Sequence, residues 1–163
     1  MVRLAVIASI IVLALMIFSI IDCSRTPESQ IRSLPKWAWL VIIIFVPGIG
    51  ALACAILVLN NLRDLPSDEA AGKKTLAVVM GDKSTRDLYK WLMFFSLVIS
   101  VALALFSLYY LFALLSLPLV SKSVRAVSAG ARRDELITLL AKTGRIQIIY
   151  SIALSFAAWL VAR

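Results

Sequence analysis

The apolar residues of this chain fall in long blocks separated by short charged stretches, the pattern of helices that cross a bilayer. Residues 4–21, LAVIASIIVLALMIFSII, are 18 apolar or small residues behind Arg3, close to the minimum for a span. Ile20-Ile21-Asp22 lacks the small-residue pattern of a signal-peptide cleavage site, so an uncleaved first span is expected. A polar connection, 22–36, is punctuated by Pro27 and Pro35, and Trp37 and Trp39 mark a membrane interface. Residues 37–59 form a second block. Pro47-Gly48-Ile49-Gly50 interrupts it and predicts a kink or break.

Residues 88–120 carry only one charge, Lys90, and fit either one long tilted helix or two short arms. Charge bias separates the two. Six basic residues lie in 60–90 and six more in 122–145, against three in 22–36. Cytoplasmic loops carry the basic excess, and only two arms put both rich loops on one side. The predicted turn lies near Ser107 to Tyr109, with Pro118 bending the second arm. Residues 134–145 alternate at helical spacing, with Leu136, Ile137, Leu139 and Leu140 as the apolar side. Residues 146–162 complete the last span, with Trp159 and Arg163 at its far end. The expected fold class is all-α: a multi-spanning transmembrane helical bundle of about five spans, N-terminus cytoplasmic.

Composition agrees. Hydrophobic residues make up 62% and mean hydropathy is +0.98, well above the roughly 45–50% apolar content of soluble domains. The net charge of +8 is no nucleic-acid footprint, because the basic residues sit between apolar blocks without interleaved aromatics. They are better suited to orienting the chain and meeting the lipid bilayer's headgroups. With no histidine and two cysteines, Cys/His zinc sites and imidazole-dependent hydrolysis are excluded. Cys54, inside an apolar block, is expected to be a small core residue.

Chemistry concentrates between Asn60 and Asp87, which holds five of the nine acidic residues. Asp64 and Asp68 are four apart and would share a face on a helix. Pro66 between them also allows Asp64 on a turn and Asp68 in the opening of the next helix. Either arrangement can aim two carboxylates at a hard cation such as magnesium, which accepts few protein ligands when substrate phosphates supply the rest. Lys73, Lys74 and Arg63 are donors suited to phosphate oxygens. Spacing by itself also fits an ordinary solvated loop.

From about Gly50 onward the chain resembles the UbiA superfamily of intramembrane aromatic prenyltransferases, especially its 1,4-dihydroxy-2-naphthoate polyprenyltransferase branch of menaquinone biosynthesis. Asn60-Asn61-Leu62-Arg63-Asp64, Asp68, Ala71-Gly72-Lys73-Lys74-Thr75-Leu76-Ala77 and Gly81-Asp82 carry the likeness to that family's second aspartate-rich motif. The resemblance implies that Asp64 and Asp68 are catalytic and hold Mg2+ on a polyprenyl diphosphate. It implies that Arg63 and Lys73 contact phosphate, that Lys74 assists and that Asn61 borders the site. The acceptor would be 1,4-dihydroxy-2-naphthoate, and the location a bacterial inner membrane.

The chain departs from that family pattern before Asn60, where Asp22 and Glu28 are the only acids and no first aspartate-rich motif is found. Residues 1–49 instead resemble the two-helix N-terminal segment of phospholipase D nucleases. Ile21-Asp22-Cys23, Arg25-Thr26-Pro27, Leu34-Pro35-Lys36-Trp37 and Phe45-Val46-Pro47-Gly48-Ile49-Gly50 carry that likeness. The expected organisation is therefore a fusion of segment 1–49 with a prenyltransferase C-terminal part, 50–163. Such a chain is expected to be incomplete or inactive alone and to need a complementing membrane subunit. The alternative is a non-catalytic integral membrane fragment or scaffold.

Overall fold

A computed structural model describes the backbone of residues 36–163 and the side chains of residues 48–163. The expected span 4–21 and residues 1–35 of the 1–49 segment lie outside the described residues. The described chain is helical throughout, and Gly48–Arg163 forms one compact unit.

Helix α1, Lys36–Ala70, continues through Pro47 and the following glycines, so of the kink or break expected there the break is absent. A proline removes a single intrahelical hydrogen bond, which a long apolar helix in a packed setting can tolerate. From Gly48 on, Ala51, Leu52, Ala55, Val58, Leu59 and Leu62 are buried, at the three- and four-residue steps of one helix face. Cys54 falls between those positions and is exposed, so it is not the core residue the apolar block suggested.

A short helix α2, Leu76–Met80, follows, and Gly81 at φ 78° turns the chain into α3, Asp82–Leu103. Successive amides of residues 104–107 then tighten onto carbonyls three and four residues back, and the chain reverses. A 3₁₀ helix, Leu108–Ser116, leads into α4, Leu117–Ser128, with Pro118 in its first turn, where its missing N–H is harmless. Helix α5, Arg133–Val161, closes the unit.

Two arms between 91 and 121 are therefore present, with the turn slightly earlier than expected. Neither is short. The first begins at Asp82 and is about 33 Å long at ~1.5 Å per residue, and the second gains length from the steeper 3₁₀ rise, about 36 Å in all. Three described segments are long and apolar enough to cross a membrane: Gly48–Ala70, Leu108–Ser128 and Arg133–Val161. Helix α3 has the length, but Asp82, Lys83, Arg86, Asp87 and Lys90 charge its first three turns and keep it out of that set.

Four long-range hydrogen bonds fix the arrangement. Arg86 Nη1 donates to the Val127 carbonyl at 2.7 Å, joining the start of α3 to the end of α4, so the two arms are antiparallel. The hydroxyls of Tyr89 and Thr143 meet at 2.9 Å, and Tyr150 donates to the Ser96 carbonyl at 2.6 Å while accepting from Ser100 at 2.9 Å. Both contacts advance in the same sense, so α5 runs parallel to α3. The two basic loops, 71–81 and 129–132, consequently lie at the same end of the bundle, as the charge bias required.

On α5 the buried seam is Leu136, Leu139, Thr143, Ile146, Tyr150, Leu154 and Ala157. Ile137, expected on the apolar inner side, points outward and is 53% exposed. It lies about 100° from Leu136 around the helix, too far to share a narrow seam. Exposed Trp91, Leu105, Phe106, Leu108 and Leu115 cover the outside. On a membrane protein that apolar surface has lipid to meet. At the end opposite the basic loops, the Arg163 guanidinium lies 3.7 Å from the Trp159 ring centroid, the amphipathic pairing expected of an interface.

Candidate active site at the end of helix α1

The last two turns of α1 carry the candidate residues. The helix passes through Pro66, so Asp64 and Asp68 sit on one continuous helix and not on a turn and a following helix. Pro66 cannot donate one turn back, and Ser67 Oγ donates to the Asp64 carbonyl at 2.8 Å beside that gap. Asn61, Asp64 and Asp68 follow one another at three- and four-residue steps and share a face. Asn61 is half-buried, and Asp68 is buried at 6% exposure.

The way α1 ends explains the glycine and lysine that follow. Gly72 takes φ 67°, in the left-handed region. Its N–H donates to the Glu69 carbonyl at 3.1 Å, and the Lys73 N–H donates to the Asp68 carbonyl at 2.9 Å. These paired bonds close a helix C-terminus and fold the chain back over its last turn. The fold-back returns Lys73 to Asp68, where its ammonium donates to Oδ1 at 3.0 Å. One residue before the pair, Arg63 forks onto Asp64, Nε to Oδ1 at 2.7 Å and Nη2 to Oδ2 at 2.9 Å. Asp64, Asp68, Arg63 and Lys73 thus form two ion pairs on neighbouring turns, with Asn61 beside them. Lys74 is exposed and pairs with neither carboxylate.

Two features escape a sequence reading. Thr75, which lies in the quoted motif between Lys74 and α2, buries a hydroxyl oxygen with no hydrogen-bond partner, a burial that its place in the motif does not foretell. Asp82 accepts both Arg86 Nε at 2.7 Å and Nη2 at 2.9 Å, while the same guanidinium caps the Val127 carbonyl. That linkage ties the loop after the aspartate motif to the end of α4. Its i,i+4 spacing was visible, but its third partner lies 41 residues away. Arg86, through its hydrogen bonds and then its charge, with Arg132 adding less, holds the Asp82 carboxyl below the usual carboxylate range.

Among the described residues no group of three or more acidic, cysteine or histidine side chains could hold a metal. Two hard-oxygen carboxylates on one helix face fit magnesium, which binds through one or two carboxylates together with water and phosphate oxygens.

Comparison with known proteins follows the same line. Residues 2–139 match the UbiA prenyltransferase family. The chain belongs to that family. The match begins within the segment read as a separate two-helix module. Similar proteins include the 1,4-dihydroxy-2-naphthoate octaprenyltransferase of Mycobacterium tuberculosis, 39% identical over 108 residues, covering 66% of this chain and 37% of that protein. The Mycobacterium leprae protein of the same name is 35% identical over 121 residues, covering 74% and 40% respectively. That of Haemophilus influenzae is 33% identical over 145 residues, covering 86% and 46%. This UbiA-family chain therefore spans less than half the length of these relatives. No solved structure matches it.

Proposed function

We propose that this chain takes part in prenyl transfer in menaquinone biosynthesis, moving a polyprenyl group from its diphosphate to 1,4-dihydroxy-2-naphthoate. The observation that carries the reading is the end of α1, where Asp64 and Asp68 share a face and Gly72 folds Lys73 back onto Asp68. The names of its relatives supply the substrate class.

In this reading Asp64 and Asp68 hold Mg2+ on the diphosphate. The metal supplies electrostatic stabilisation of the departing diphosphate. Arg63 and Lys73 donate to phosphate oxygens as negative charge builds there, Lys74 assists from the exposed side, and Asn61 orients the site's edge. The allylic carbon–oxygen bond breaks with its electron pair leaving on diphosphate. The electron-rich naphthoate ring then forms the new carbon–carbon bond, and its carboxyl group is lost as carbon dioxide. Surrounding apolar helices keep water from the cation.

These 163 residues hold one aspartate motif. The first motif of the family would come from chain outside them, as a preceding segment or as a complementing membrane subunit. Residues 1–49 act in this reading as a membrane-anchoring two-helix module, and the basic loops face the cytoplasm of a bacterial inner membrane.

The test is expression in cells lacking the naphthoate prenyltransferase, alone and with a chain supplying the first motif, with demethylmenaquinone measured by mass spectrometry. Product that disappears with Asp64→Asn or Asp68→Asn is expected. Product unaffected by both substitutions, or none under either condition with the protein inserted, would instead make the chain a non-catalytic membrane scaffold.

A further inference from the structure

The two basic residues assigned to phosphate are the same two that neutralise the carboxylates. Arg63 occupies both oxygens of Asp64, and Lys73 occupies one oxygen of Asp68. Both pairings are built by the chain itself, one by adjacency and the other by the Gly72 reversal. Asp68 is 9% exposed in its side chain, so water does little to screen its charge.

We propose that Arg63 and Lys73 are exchangeable counter-ions, so that the site takes the metal–diphosphate complex as a unit and holds free metal or free diphosphate poorly. This rests on the diphosphate reading above. The two carboxylates and two cations cancel. A bare dication would have to displace Arg63 and Lys73 and would leave excess positive charge on one helix end. A bare diphosphate would draw the same cations away and lie beside two uncompensated carboxylates. The complex carries nearly cancelling charge of its own. Its arrival lets each carboxylate trade an ammonium or guanidinium for the metal, while each cation trades a carboxylate for a phosphate oxygen. Such coupling is reciprocal: each component raises the site's affinity for the other.

The exchange predicts effects of opposite sign from one substitution. The 163-residue chain in nanodiscs would be titrated with Mn2+ followed by electron paramagnetic resonance, with and without inorganic pyrophosphate. Lys73→Met and Arg63→Met remove an internal competitor, so each should tighten binding of Mn2+ alone by roughly two- to five-fold, the scale of a partly exposed ion pair. Each should weaken binding of Mn2+–pyrophosphate by about ten-fold or more. Lys74→Met removes the same charge without an ion pair and should tighten Mn2+ binding less than Lys73→Met. No gain in Mn2+ affinity in either variant, or an equal gain in Lys74→Met, overturns the exchange. If Asp68→Asn leaves Mn2+–pyrophosphate binding intact, the diphosphate reading falls with it. If Asp68→Asn abolishes that binding while the sign reversal is missing, only the exchange falls.

Discussion

Gly48 lies where α1 passes the hydroxyl of Tyr150, and adding one methyl group there tests the packing of the whole unit. A Cβ on Gly48 would fall 2.7 Å from the Tyr150 hydroxyl oxygen and 3.3 Å from Ile99 Cγ2. The hydroxyl cannot step aside freely, because it donates to Ser96 at 2.6 Å and accepts from Ser100 at 2.9 Å in a buried setting. Gly48→Ala therefore forces α1 outward or breaks those bonds. Overpacking of this kind costs about 1–3 kcal/mol, and each buried hydrogen bond lost adds about 1 kcal/mol. We expect a destabilisation of about 2–3 kcal/mol. Tyr150→Phe removes the clashing oxygen and should cost about 1 kcal/mol by itself. In that background Gly48→Ala should cost less than about 1 kcal/mol, an interaction energy of roughly 1.5–2 kcal/mol in the double-mutant cycle. Unfolding of the four proteins in mixed micelles, followed by circular dichroism, measures it. Additivity within about 0.5 kcal/mol, or a neutral Gly48→Ala, would refute the close approach of α1 to α5.

Three further predictions concern the end of the bundle that carries the candidate site. Gly72 has φ 67° and open space around a Cβ, so Gly72→Ala meets backbone strain alone. It should lower stability by about 1 kcal/mol and weaken Mn2+–pyrophosphate binding by loosening Lys73, whereas Gly72→Asn, which accepts left-handed backbone, should recover most of both. Arg86→Lys cannot serve Asp82 and Val127 together and should destabilise by about 1–2 kcal/mol in the same unfolding assay. Because the Asp82 carboxyl is held below its usual range, its contribution is complete above the ordinary carboxylate range and is lost as pH falls through its lowered value. A wild-type stability loss below about pH 4 that is smaller in Asp82→Asn is expected. Asp82 is 58% exposed in its side chain, which limits the effect to under about 1 kcal/mol.

Much of this protein is written locally. Membrane-length apolar blocks require helices, because lipid offers no partner for an open backbone. The excess of Lys and Arg in 60–90 and 122–145 demanded two arms between those stretches, and the Arg86–Val127 contact closes that hairpin. The candidate aspartates and basic residues were also legible, since four-residue spacing and side-chain chemistry do not depend on distant contacts.

Other features could not be read from local sequence. Pro47 and Pro66 look like breaks, yet α1 passes through both, because a helix's fate at one lost hydrogen bond depends on what surrounds it. Cys54 and Ile137 look like core and face outward, since apolar sequence in a membrane protein does not distinguish a neighbouring helix from lipid. Lys73 pairs with Asp68 while Lys74 does not, a choice made by the backbone reversal at Gly72. Composition and periodicity determined the helices. Packing decided which face of each helix looks inward and which charge meets which, because those depend on contacts between residues far apart in the chain.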